Sequence, residues 1–405
     1  MRAFAAAAAT ALASLPVLAD PVQADDQGPF HFQATVATQA HPSFHADYSG
    51  KNSLSPGGES ATSVVMDLSA TVRPWPGAEI VVQPELAGGK GLSSTLGVAA
   101  FPSGEVYRVG NPEPTLILAR AQVKQVLGAW TFTFGKLSTP DLFDHVPFAD
   151  DPHTRFMSWG IWASAAYDYP ADTHGYTIGL AAEWSRQWLF ARGGIFLEPT
   201  TANGGVFEHD ITKARGLVTE VEARFPRWAA RLLGFLNTAR MGSYSEAIAR
   251  HVDVSDTRAD GRTKVGFAAS ANRDFGAGLG GFARLSWSDG NNETWAFTEI
   301  DRSLVVGALQ SGARWGRAGD EAGAAIVVSG LSNRHRRYLE QGGFGFLIGD
   351  GALSYGPEIL GELFYRAALT PLLSVGVNYQ PLFNPAYNRD RGPVHIFTGR
   401  VHVAF

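Results

Sequence analysis

Seven polar residues set into otherwise apolar, evenly alternating stretches carry most of the chemistry this sequence offers: Asp67, Gln83, Arg120, Lys124, Glu220, Glu362 and Arg400. The carboxylates accept hydrogen bonds, the guanidinium and ammonium groups donate them, and the glutamine amide does both. A surface of both signs suits an uncharged solute rich in hydroxyls, whereas a lining of one sign would select ions. The segment DPHTRFMSWGIWASAAYDY adds Trp159 and Trp162, whose flat faces can cover the C–H patches of such a solute. Nearby Asp141, Asp144, Asp150, Asp151, Arg155 and Asp168 extend the mixed-charge set.

Other constellations give less. His41 and His45 have an H-x-x-x-H spacing, but HPSFHADYSG is punctuated by Pro and Gly, so one helical face presenting both rings to a metal is not expected. Gly343, Gly345 and Gly349 miss the dinucleotide spacing because Ile348 stands where the third glycine belongs. No G-x-S-x-G elbow occurs, and with no cysteine there is neither a thiol nucleophile nor a thiolate metal site. No cofactor is expected. Lys and Arg total 33 against 38 Asp and Glu, a formal charge of −5, which argues against a nucleic-acid partner. RHRRYLE at 334 to 340 reads as a solvated external helix, with anionic lipopolysaccharide as a lesser candidate contact.

The polar residues need elements to hold them, and the dominant period after residue 30 is two. In the last stretch Phe397, Gly399, Val401, Val403 and Phe405 share one face, while Thr398, Arg400, His402 and Ala404 share the other. Strands are expected at 31–40, 62–73, 78–86, 115–127, 130–137, 176–185, 188–197, 216–225, 227–238, 262–271, 278–287, 294–311, 320–330, 357–369, 371–381 and 394–405. Their connections alternate tight and long, as short periplasmic turns and long external loops require. The fold class that follows is all-β, a transmembrane antiparallel barrel of about sixteen strands. GIWASAAYDY would break the even count as a strand, so it is placed inside the third long loop, 138–175, which is expected to fold into the lumen. Trp130, Phe132 and Phe134, then Tyr176, Ile178, Leu180 and Trp184, then Leu217, Val221 and Phe225, read as lipid-facing rows.

Ahead of the strands, Arg2, an apolar stretch from Ala3 to Leu18 and small residues before Ala24 read as a signal peptide, residues 1–24, with a cut after Ala19 as the alternative. The apolar run is too short for a membrane anchor. Residues 25–405 are then one barrel domain.

Across nearly the whole mature chain, HPSFHADYSGKNSL, LSSTLGVAAFPSGEVYRVG, DPHTRFMSWG, YDYPADTHGYTIGLAAEW, ARMGSYSEA, FTEIDRSLVVG, GFLIGDGALSYGPEIL and NPAYNRDRGPV together resemble the OprB-type carbohydrate-selective porins of Gram-negative outer membranes. The resemblance implies a monomeric sixteen-stranded channel, with outer-membrane lipid around it. It also implies passive passage of glucose and related sugars or polyols between arginines and glutamates. A general diffusion porin shares the architecture and remains the alternative; an outer-membrane hydrolase would need a Ser and His paired on the lipid face, and the outward rows offer none.

Overall fold

The computed structural model describes residues 28–104, 106 and 113–405. The expected leader, 1–24, lies outside the described residues. Sixteen strands form one closed ring: β1 Phe30–His41, β2 Glu59–Val72, β3 Ala78–Gly89, β4 Thr115–Leu127, β5 Trp130–Leu137, β6 Thr177–Arg186, β7 Leu189–Phe196, β8 Arg215–Phe225, β9 Trp228–Ala239, β10 Arg262–Gly276, β11 Leu279–Ser288, β12 Arg302–Ser311, β13 Glu321–Gly330, β14 Glu358–Ala368, β15 Leu373–Phe383 and β16 Val394–Ala404. Each strand pairs antiparallel with its neighbours, and β1 closes on β16 from Gln33↔Ala404 to Ala40↔Phe397. Phe405 completes the seam: its backbone exchanges hydrogen bonds of 2.8 and 2.9 Å with Phe32, and the two rings lie 5.2 Å apart.

Alternation sorts the side chains as expected of a wall between lipid and lumen. On β16, Phe397 and Val401 are exposed on the outside while Thr398, Arg400 and His402 are buried inside. Trp130, Phe132 and Phe134 face outward, as do Leu180, Leu217 and Val221. Aromatics gather beside the tight turns. Trp188, Phe225 and Trp228 stack in series, with centroids 5.5 and 4.4 Å apart, and Trp130 stacks on Phe132. Such a row fits a membrane interface, where one edge of the ring is wet.

Two sequence expectations need correction. The long twelfth strand, expected at 294–311, begins only at Arg302. The eight residues before it, 294–301, are buried loop, with Trp295 Nε1 donating to the Pro199 carbonyl at 2.9 Å. Apolar residues packed inside a barrel imitate a strand pattern in one sequence. Tyr176, placed on the lipid side, instead faces the lumen. Gly175 before it has φ +92°, and Asp172 and Tyr176 hold each other by backbone and side-chain bonds, so the alternation of β6 starts only after the turn.

Among the described residues three short α-helices lie in the long connections: α1 Trp159–Trp162, α2 Tyr244–Arg250 and α3 Asn333–Glu340. The longest connection, 138–176 and here called L3, contains α1 and is buried for most of its length. Its backbone and side chains bond to β1, β4, β8, β9, β11, β13, β14 and β16. A segment tied to strands all around one closed ring lies across its interior. Small residues on the wall make room for it: a Cβ on Gly280 of β11 would come within 2.2 Å of the Phe148 ring. Phe156 packs edge-on against Phe282 and Phe364, so part of the lumen is filled by an apolar core rather than water.

Candidate functional site

What L3 leaves open is a cavity of about 310 Å³ against the wall formed by β1 to β4, closed on one side by Tyr176 at the end of L3. Asp67 on β2 accepts from two amides, Gln33 Nε2 at 2.8 Å and Gln83 Nε2 at 2.9 Å. Arg120 on β4 donates from one terminal nitrogen to Gln83 Oε1 at 3.0 Å and forks onto Asp141 of L3 with two bonds of 2.6 Å. Its guanidinium carbon also lies 5.3 Å from the centre of the Tyr176 ring, a cation–π distance. Tyr176 in turn donates its hydroxyl to Glu85 on β3 at 2.5 Å.

The local backbone aims these groups. The register between β3 and β4 shifts at Gln83/Pro84, where Pro84 has no N–H to give the ladder. A bulge re-aims neighbouring side chains, here Gln83 and Arg120, toward the same space. From the L3 side, Asp151 caps its own turn by accepting the N–H groups of His153 and Thr154. Burial alone would raise Asp151, yet His153 and Arg155 beside it hold its carboxyl below the ordinary aspartate range. Burial pushes Asp144 up against the pull of Arg284.

The nine residues singled out from sequence separate into four sets. Asp67, Gln83, Arg120 and Trp162 line the cavity. Glu220, Glu362 and Arg400 are inward but hold the backbone of L3, Glu220 also accepting from Arg192 and Glu362 from Asn378. Glu220 accepts the Asp144 N–H at 2.7 Å, Glu362 accepts those of Met157 and Ser158 at 2.7 and 3.0 Å, and Arg400 donates to the carbonyls of Pro152, Thr154 and Arg155 at 2.9, 2.6 and 2.5 Å. Trp159 is 4% exposed and packs against Phe101 and Tyr169. Lys124 stands apart, exposed and three residues from the tight-turn end of β4.

Sequence reasoning passed over Gln33 and His153 and set Tyr176 on the lipid side, yet all three line the cavity. Gln33 shares the inward face of β1 with Thr35, so the same period of two would have found it. His153 lies in aperiodic loop, where alternation carries no information. It contacts Thr35 Oγ1 at 3.1 Å. The histidine pair read as a poor metal motif also separates, His41 lying 3.6 Å from Glu59 and His45 pairing with Asp47 at 2.8 Å.

A closed sixteen-stranded barrel with an apolar outer wall, interfacial aromatics and a polar cavity beside an internal loop defines a porin, a channel-forming protein of outer membranes. The chain belongs to the OprB family of carbohydrate-selective porins, whose model matches residues 51–405. The high-pH structure of Pseudomonas putida OprB superposes with a TM-score of 0.72 at 17% identity, over 93% of this chain and 94% of that one. The low-pH structure of the same protein gives 0.50 at 14% identity, over 93% of both chains. The outer membrane channel DcaP of Acinetobacter baumannii gives 0.54 at 10%, over 93% of this chain and 96% of the other. At such identities the likeness is one of fold. No curated protein matches the chain by sequence.

Proposed function

We propose that this sugar-selective channel works by passive diffusion through the cavity between L3 and the β1 to β4 wall, with no chemical step on the solute. Asp67, Gln33, Gln83, Arg120 and Asp141 exchange hydrogen bonds with hydroxyl groups, and Trp162 covers a ring face. Glu220, Glu362 and Arg400 act one step removed, holding the loop that sets the passage width. Binding stays weak, because a permeant held tightly leaves slowly. The mature protein in this reading begins after the leader 1–24 and works as a single barrel within outer-membrane lipid.

The observation that carries this reading is the cavity itself: about 310 Å³ between L3 and the barrel wall, bounded by donors, acceptors and aromatic faces rather than by one sign of charge alone. Single-channel recording in a planar bilayer tests it. Glucose and a polyol should block ion current in a concentration-dependent way, and an uncharged non-sugar of equal size should not. Steady conductance with no selective block would instead describe a general diffusion porin.

A further inference from the structure

The geometry points to an ammonium subsite inside the cavity, formed by Asp67 and Glu85, so that the channel favours amino sugars and similar small hydroxylated amines over neutral sugars of the same size. The inference rests on the sugar-channel reading above and refines its substrate class.

Asp67 and Glu85 are direct register partners on β2 and β3 and point to the same inward face. Both are buried, at 5% and 2% exposure, and both line the cavity. Like charges directly opposite on adjacent strands repel, so this pairing costs stability unless something compensates it.

Among the described residues the compensation is incomplete. Asp67 receives only the two neutral amides already named. Glu85 Oε2 receives the Tyr176 hydroxyl, but its Oε1 is buried with no hydrogen-bond partner. The neighbouring basic groups make their hydrogen bonds elsewhere, His153 with Gln33 and Thr35 among them. Arg120 forks onto Asp141, Arg284 bridges Asp144 and Asp150 at 2.7 and 2.8 Å, and Lys136 stands 3.9 Å from Asp172. An unmatched, buried acceptor on a residue that lines the cavity is a place for a donor from the solute.

A primary ammonium fits this vacancy better than a hydroxyl does. It brings three donors and no acceptor, and a positive charge that both carboxylates can share. The amide groups of Gln33 and Gln83 remain beside it for the hydroxyls of the same molecule. The wider lining favours cations as well, since Asp141, Asp144, Asp150 and Asp151 line the cavity against Arg120, even with Arg284 behind them paired to Asp144 and Asp150.

The test compares glucosamine, glucose and N-acetylglucosamine as blockers of ion current through the refolded mature barrel, near pH 7, where most of the free amine is charged and acid does not neutralise the carboxylate pair. Glucosamine should reach half-block at roughly a tenfold lower concentration than glucose, the factor expected from one added charge-assisted hydrogen bond, and the acetylated sugar should behave like glucose. In Glu85→Gln and Asp67→Asn, near-isosteric changes checked for folding by heat-modifiable gel migration, the glucosamine-to-glucose ratio should fall toward one. The reversal potential in a KCl gradient should become less cation-selective. Equal block by glucosamine and glucose in the unaltered protein, or a preference that survives both substitutions, would overturn the subsite while leaving a sugar channel. Open channels that none of the three sugars blocks would overturn the sugar reading, and the subsite with it.

Discussion

The carboxylate of Glu362 on β14 accepts the backbone N–H of Met157, 205 residues away in sequence, at 2.7 Å. Ser158 N–H and Asn378 Nδ2 reach the same carboxylate at 3.0 and 2.6 Å, making it a strut between barrel wall and loop. Glu362→Ala orphans these buried donors at about 1–3 kcal/mol each. The expected outcome is a lower urea midpoint together with larger, noisier single-channel currents and weaker sugar block. Glu362→Gln keeps an acceptor and should retain most of the stability. A normal conductance in the alanine variant would remove Glu362 from the set of residues that fix the passage.

Arg284 is the second strut, fully buried and shared by Asp144 Oδ2, Asp150 Oδ1 and the Trp162 carbonyl. Replacing one partner of such a cluster leaves uncompensated charge in a largely buried site, which costs up to about 3–5 kcal/mol. Arg284→Met should therefore destabilise the barrel strongly in denaturant titration. Adding Asp144→Asn should recover part of the loss, because the cost lies in the abandoned carboxylates rather than in the missing side chain.

Arg120 should behave differently. Its bond to Asp141 joins side chains that are 22% and 31% exposed, and partly wet pairs contribute little to stability, under about 1 kcal/mol. Arg120→Ala should leave the unfolding midpoint nearly unchanged. Permeation should shift instead: higher conductance, greater cation preference and weaker glucose block, all read in one bilayer experiment. A destabilised variant with unaltered sugar block would place Arg120 among the struts rather than at the solute.

The contrast between Arg120 and Glu362 shows where the sequence was readable. Alternation placed both side chains inside the barrel, because strand period and burial are local properties. It could not say that one would face solute and the other a loop, since that depends on where L3 travels and L3 has no period. Carboxylates repeatedly proved to be clamps for loop backbone: Glu358 accepts the N–H groups of Ala99, Ala100 and Ala386, as Glu220 accepts that of Asp144. Strand boundaries were legible wherever tight turns punctuate them. They failed at 294–301, where a buried loop carries the apolar content of a strand.

External loops use the same device, and there it yields a pH dependence. Glu299, in the connection before β12, accepts the N–H groups of Leu347 and Ile348 at 2.9 and 2.7 Å, pinning the loop that follows α3. Burial raises its carboxyl to about 7, although His335 and these N–H bonds favour the charged form. Asp301 nearby does not titrate in the same window. Its burial is outweighed by His335 and Lys264, and it stays near 2. A glutamate whose folded value lies above its ordinary value of about 4.3 binds its proton more tightly in the docked loop than in the released one. The docking energy is therefore fullest below about pH 4, declines as pH rises toward 7, and is flat beyond, a change on the order of 3 kcal/mol. Hydrogen exchange at Leu347 and Ile348, corrected for its intrinsic pH dependence, should accelerate between pH 5 and 7, and Glu299→Gln should abolish that dependence. Exchange that stays flat in the unaltered protein would mean that Glu299 is ionised throughout and that its two backbone bonds, not its proton, hold the loop.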